Sequence, residues 1–189
     1  VVCASKYFGS DQIRVLNQKG VKHFGENRVQ DLLRKKEELK ELDITWHFIG
    51  HLQTNKVKDM INHIDYLHTL DRMSLVQSIQ KYALKPVKCM IQVNLTDEDQ
   101  KSGILPLESD SFIQYCVNDL KLPVIGLMCI PPYDEVSAMH FCLLKKIADR
   151  NQLSELSMGM SEDFKEGIKF GATSVRIGTK FFGQRTITL

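Results

Sequence analysis

Ser174-Val175-Arg176-Ile177-Gly178-Thr179, near the C-terminal end, is the stretch whose reading decides the fold. A strand alternates with period two, so Val175 and Ile177 share one face while Ser174, Arg176 and Gly178 share the other. An arginine on an inward face is costly to bury unless something anionic or hydrogen-bonding meets it. Gly178 and Thr179 then offer unhindered backbone N–H groups and a hydroxyl, which suit a phosphate. About one helix upstream, Leu156-Ser157-Met158-Gly159-Met160-Ser161 is a second short apolar run that breaks into Gly and Ser. Together the two runs predict a phosphate cradle with the rest of the chain closing a barrel around it.

Working outward, short apolar runs alternate with amphipathic stretches along the whole sequence. They predict strands over Val1–Ser5, Val21–Gly25, Thr45–Gly50, Tyr66–Thr69, Val87–Asn94, Val124–Ile130, Leu156–Gly159 and Ser174–Gly178. The helices expected between them run over Asp11–Lys19, Arg28–Glu41, Thr54–Asn62, Met73–Ala83, Ser109–Asp119, Val136–Asn151 and Ser161–Phe170. Ser10 or Asp11, Asp71 and Ser161 stand where N-caps are wanted, and Gly20 and Gly171 where a helix ends. Eight strands separated by helices predict a (β/α)8 TIM barrel. An open doubly wound sheet competes, but no G-x-G-x-x-G follows the first strand. One domain is expected over residues 1–189; the start on Val1, inside an apolar run, implies a missing N-terminal segment.

Composition narrows the function classes. With 43% apolar and 25% charged residues and a net charge of +2, the chain has no electrostatic case for nucleic acid or a membrane surface. Five widely spaced cysteines with no C-x-x-C pair argue for free thiols in a reducing cytoplasm, and against a disulfide framework or structural zinc. His47 and His51, four residues apart, bracket a strand and lack the glutamate of H-E-x-x-H, so they are expected as hydrogen-bonded scaffold rather than metal ligands.

Barrel chemistry lies at the C-terminal ends of the strands. After the first strand comes Lys6, with Ala4 and Val2 on its face leaving room above them. A lysine at an apolar mouth loses its proton more easily and can form a Schiff base with an aldehyde. The alternative is a lysine that snorkels to solvent. Arg176 has two placements open: an ion pair inside the barrel, with Glu26 as partner, or a guanidinium at the pyridine nitrogen of a cofactor. Lysine, phosphate cradle and inward arginine together imply pyridoxal 5′-phosphate (PLP). Asn27 joins them at the mouth, Asn94 and Met128 are candidate walls for a flat ring, and Lys101 is a candidate second amine.

These motifs resemble a known family. Ala4-Ser5-Lys6, Phe24-Gly25-Glu26-Asn27, Trp46-His47-Phe48-Ile49-Gly50, Leu52-Gln53-Thr54-Asn55-Lys56, Lys101-Ser102-Gly103, Gly126-Leu127-Met128, the run from Leu156 to Ser161 and Val175-Arg176-Ile177-Gly178-Thr179 look like the pyridoxal phosphate homeostasis proteins. The resemblance implies a barrel like the N-terminal domain of alanine racemase, a PLP aldimine on Lys6, Arg176 at the pyridine nitrogen, and phosphate contacts from Ser161, Gly178 and Thr179. Arg28 stands where the family usually has tyrosine. An arginine cannot give a full proton to the ring nitrogen, so the cofactor would be a weak electron sink. The expected function is therefore a monomeric carrier or buffer of PLP that supports vitamin B6 homeostasis and supplies apo PLP-dependent enzymes. An amino-acid racemase-type enzyme and a Schiff-base aldolase reading a sugar phosphate remain the alternatives.

Overall fold

A computed structural model describes residues 1–96 and 102–183. Eight parallel strands form one sheet in the order β7-β6-β5-β4-β3-β2-β1-β8. They are β1 (Val2–Ala4), β2 (His23–Glu26), β3 (Thr45–Phe48), β4 (Tyr66–Leu70), β5 (Lys88–Gln92), β6 (Val124–Met128), β7 (Glu155–Ser157) and β8 (Arg176–Ile177). The β7 and β8 edges meet through a parallel bridge between Ser157 and Ser174. Met158 N–H donates to Ser174 O at 3.1 Å and Arg176 N–H to Gly159 O at 2.9 Å, which closes the ring. The fold is a (β/α)8 barrel.

The strands are buried on both faces, as parallel strands under a helical coat must be. One face supplies Cys3, Phe24, Trp46, Phe48, Leu67, Cys89, Ile91, Leu127 and Leu156 to an apolar shell. That shell is completed by helices α1 (Ser10–Gln18), α2 (Val29–Glu38), α3 (Val57–Met60), α4 (Met73–Tyr82), α5 (Ser109–Gln114), α6 (Ser137–Arg150), α7 (Phe164–Lys169) and α8 (Thr179–Phe182), through residues such as Ile13, Leu32, Leu75 and Phe141. The other face fills the barrel interior and is unusually polar. His47, His68, Ser157 and Arg176 are all buried there.

The differences from the sequence reading lie at element ends and in one added helix, α8, which follows β8 where the sequence reading placed none. The stretch over Thr54–Asn62 is only one α-helical turn, α3, flanked by 3-10 turns over Thr54–Lys56 and Ile61–His63. After α5 the backbone widens into a π-helix over Tyr115–Asp119, which keeps Cys116 fully buried. The N-caps also fall elsewhere: Gly9 rather than Ser10 or Asp11, Arg72 rather than Asp71, and Asp163 rather than Ser161. The last shift has a physical cause. The Asp163 carboxylate accepts the Met160 N–H at 2.6 Å and tightens the turn, so Ser161 is left at the barrel mouth instead of on the helix. Gly20 and Gly171 do follow α1 and α7, each with φ of 91°, the left-handed conformation that ends a helix.

Candidate functional site

Lys6 sits in the turn after β1. Phe8 N–H donates to Ser5 O at 3.0 Å, and Tyr7 has a φ of 76°. A tyrosine in the left-handed region costs roughly 1–2 kcal/mol. Strain of this kind persists only where surrounding structure over-determines it. Here the surroundings are rigid. Ser5 is fully buried and its hydroxyl donates to Glu26 Oε1 at 2.6 Å; Lys35 of α2 donates to the same oxygen at 2.6 Å and to Ser5 O at 2.9 Å. The end of β1, the end of β2 and α2 are thereby tied together directly beneath Lys6.

Above this tie two lobes of one mouth open. The larger, about 700 Å³, is lined by Lys6, Ser161, Arg176, Gly178 and Thr179. The smaller, about 400 Å³, is lined by Lys6, Asn27 and Asn94. Lys6 borders both, as do Ile49 and the Ile130-Pro131-Pro132-Tyr133 segment after β6. Both volumes fall in the range of small-molecule sites. Seven of the eight sequence-predicted site residues thus line one bipartite mouth. Met128 does not: it is fully buried at the end of β6, on the polar interior face but below the lining of either lobe. Lys101 lies outside the described residues.

Arg176 is the electrostatic centre. It is 5% exposed, its Nη1 donates to Ser157 O at 2.7 Å and to Ser157 Oγ at 2.6 Å, and its Nη2 donates to Cys129 O at 2.8 Å. Every one of these acceptors is neutral. Burial pulls the guanidinium below its ordinary pKa, while the neighbouring Cys129 and Asp163 oppose that shift. The ion pair with Glu26 expected as one alternative is not formed, because Glu26 faces the helical shell and is bound by Lys35. An arginine buried against neutral acceptors carries charge into the cleft floor, and an anionic or electron-rich ligand atom is what such a site can hold.

The residues expected as a phosphate cradle line the same lobe as Arg176. Gly178 is half-buried and lines the cleft, and a Cβ there would come within 3.1 Å of Ala4 O, a tight contact against the end of β1. Thr179 and Ser161 bring hydroxyls to the same lobe, and Glu135, Glu162 and Asp163 mark its acidic rim. In the smaller lobe, Asn94 Oδ1 accepts from Thr96 N at 3.1 Å and from Thr96 Oγ1 at 2.7 Å. His51 lies at its edge, 3.3 Å from both Ser102 Oγ and Asp71 Oδ2.

Residues 6–186 match the family model described as "Alanine racemase, N-terminal domain". A "Pyridoxal phosphate homeostasis protein" of Aquifex aeolicus is 43% identical over 194 residues, covering 96% of this chain and 85% of the relative. The chain belongs to the pyridoxal phosphate homeostasis proteins. PipY of Synechococcus elongatus, a solved structure without PLP, superposes with a TM-score of 0.91 at 33% identity, covering 96% of this chain and 91% of PipY. The structure of PipY with PLP bound gives a TM-score of 0.90 at 32% identity, over 97% and 92% of the two chains. Alanine racemase of Corynebacterium glutamicum shares the fold, with a TM-score of 0.73 at 13% identity over 99% of this chain and 56% of the racemase.

Three features of the site escaped the sequence reading. His68 and Ser157 occupy inward positions of β4 and β7, and the period-two alternation that placed Arg176 would have placed them too. The Pro131-Pro132-Tyr133 loop follows the end of a barrel strand, where mouths are built, and Tyr133 is 99% exposed on the rim of both lobes. Lys35 carried no signal. A lysine buried on an amphipathic helix looks like any other solvated lysine until its carboxylate partner is known.

Proposed function

We propose that the chain holds PLP in the bipartite mouth and acts as its carrier or buffer, contributing to vitamin B6 homeostasis. The observation that carries this reading is Arg176, buried against neutral acceptors on the floor of a cleft that also presents Lys6, Ser161, Gly178 and Thr179. PLP, when bound, supplies an aldehyde that condenses with amines, a pyridine nitrogen and a phosphate. The residues fit those three parts. Lys6 borders both lobes and offers the amine; Ser161, Thr179 and the backbone at Gly178 offer donors for phosphate; Arg176 offers N–H groups to the ring nitrogen. Asn27 and Asn94 flank the ring from the smaller lobe.

Carriage rather than catalysis follows from the same arginine. Guanidinium does not surrender its proton in proteins, so Arg176 donates a hydrogen bond without protonating the ring and leaves it a weak electron sink. A buffer needs only to keep a reactive aldehyde out of solution and release it to apo-enzymes. The free, largely buried thiols suit a reducing cytoplasm, and the carrier is proposed to work there as a monomer. A racemase-type reading draws on Tyr7, which lines the larger lobe beside Lys6 and could serve as a second acid or base. Sustained exchange of an amino acid's Cα proton with deuterated solvent would favour that reading over the carrier.

The test is a PLP titration followed by visible absorption, with Arg176→Met beside the wild type. Removing a charged hydrogen-bond donor from the cleft floor is expected to weaken PLP roughly 10- to 100-fold. Thr179→Val, which removes one neutral donor, should cost only a few-fold. Unchanged affinity in Arg176→Met would contradict the placement of the ring above it.

A further inference from the structure

The barrel interior contains a continuous line of side-chain hydrogen bonds that PLP binding does not require. Ser157 Oγ, which accepts from Arg176, lies 2.8 Å from His68 Nδ1. His68 Nε2 lies 2.8 Å from His47 Nδ1, and His47 Nε2 lies 3.0 Å from His23 Nδ1. The line crosses from β8 and β7 through β4 and β3 to His23, at the exposed start of β2. His47 is further held by Tyr66, stacked on it at 4.4 Å with the rings 10° apart, and Lys88 donates to the Tyr66 hydroxyl.

Both histidine–histidine links join an Nε2 to an Nδ1, so one tautomer repeated along the line satisfies it. The line can be satisfied in either direction, and the Ser157 end decides between them. Arginine only donates, so Ser157 Oγ must accept from it. Among the described residues the serine proton then has one acceptor, His68 Nδ1. His68 is therefore protonated on Nε2 and donates to His47. His47, for the same reason, donates from Nε2 to His23. In the opposite direction the hydroxyl of a fully buried serine would accept twice and its own proton would lack an acceptor, at a cost of about 1–3 kcal/mol.

We propose that Arg176 sets a one-directional relay through Ser157, His68, His47 and His23, in which the histidines act as positioning residues that hold the guanidinium with neutral acceptors and carry its orientation to the opposite mouth of the barrel. Because no link is a carboxylate, the arginine is anchored without being neutralised, and its charge stays available to whatever occupies the cleft. Burial is the main cause that lowers His47 and His68 below the ordinary imidazole value, with Arg176 adding to it at His68. The relay is a property of the ligand-free chain, so it can fail without the PLP reading failing, and the reverse.

The experiment uses ligand-free protein labelled with 15N-histidine, near neutral pH, with long-range 1H–15N correlation spectra that distinguish the two neutral tautomers from the charged ring. In the wild type His47 and His68 should both show the neutral Nε2–H pattern. Arg176→Met removes the group that sets the direction, so both rings should move to mixed tautomer signatures, although His47 touches neither Arg176 nor Ser157. His23→Phe cuts the open, exposed end and should leave both tautomers unchanged. An Nδ1–H or charged ring at either position in the wild type would overturn the relay. So would an unaltered His47 in folded Arg176→Met, or a reversal of His68 in His23→Phe.

Discussion

Lys35→Met is expected to destabilise the barrel by about 3–5 kcal/mol, the usual result of removing one partner from a buried ion pair. Lys35 and Glu26 are 1% and 0% exposed, and their 2.6 Å contact is fully enclosed. Glu26 Oε1 takes the hydrogen bonds of both Lys35 and Ser5, whereas Oε2 makes none among the described residues. Without Lys35 the carboxylate would keep a single hydroxyl donor for a whole buried charge. The negative field of Glu26 is already felt nearby: burial, with Glu26 adding to it, pushes the Cys3 thiol up to about 12. The double variant Lys35→Met with Glu26→Gln should recover much of the loss, because an uncharged pair leaves no bare carboxylate. Urea unfolding midpoints measure both. Equal stability of Lys35→Met and wild type would mean that the pair does not hold the Lys6 turn.

Acid is expected to destabilise the protein in a window set by the barrel histidines. Burial is the main reason that His47 falls to about 3 and His68 well below the ordinary value, with His23 lowering His47 and both His47 and Arg176 lowering His68. A folded-state pKa below the unfolded one means that the unfolded chain takes up protons first as pH falls. The contribution of His47 is therefore complete above the unfolded value of about 6.5 and is lost progressively between there and about 3. At pH 5.5, one unit below the unfolded pKa, His47 alone should cost about 1.4 kcal/mol relative to pH 7.5, and His68 adds in the same direction. Thermal or urea melts between pH 7.5 and 5 should show stability falling with acid, and His68→Gln should flatten the slope. A flat profile in the wild type would contradict neutral imidazoles in the barrel.

The period-two alternation around Arg176 placed it on the face opposite Val175 and Ile177, and that face is the barrel interior. Lys6, Gly178 and Thr179, more than 160 positions apart, come to one mouth because they follow the ends of β1 and β8, and parallel strands in a barrel all end on the same side. What could not be read was pairing. Glu26 and Arg176 were both plausible ion-pair partners, and the choice of Lys35 for Glu26 depends on α2 lying over β2, a contact that no local pattern encodes. Met128 shows the opposite limit: its strand and face were legible, but its depth below the cleft was not. Ser161 looked like a helix cap because its residue type suits one. Asp163, two residues later, stands at the N-cap position, its carboxylate holding the Met160 N–H before the helix, and Ser161 is left to the cleft.

The most direct measurement is borohydride reduction of the PLP-treated protein followed by peptide mapping, with Lys6→Ala in parallel. The account predicts a visible absorption band that reduction bleaches, a single label on the peptide carrying Lys6, and neither band nor label in Lys6→Ala. A label on another lysine, or an undiminished band in Lys6→Ala, would contradict the placement of PLP in this mouth.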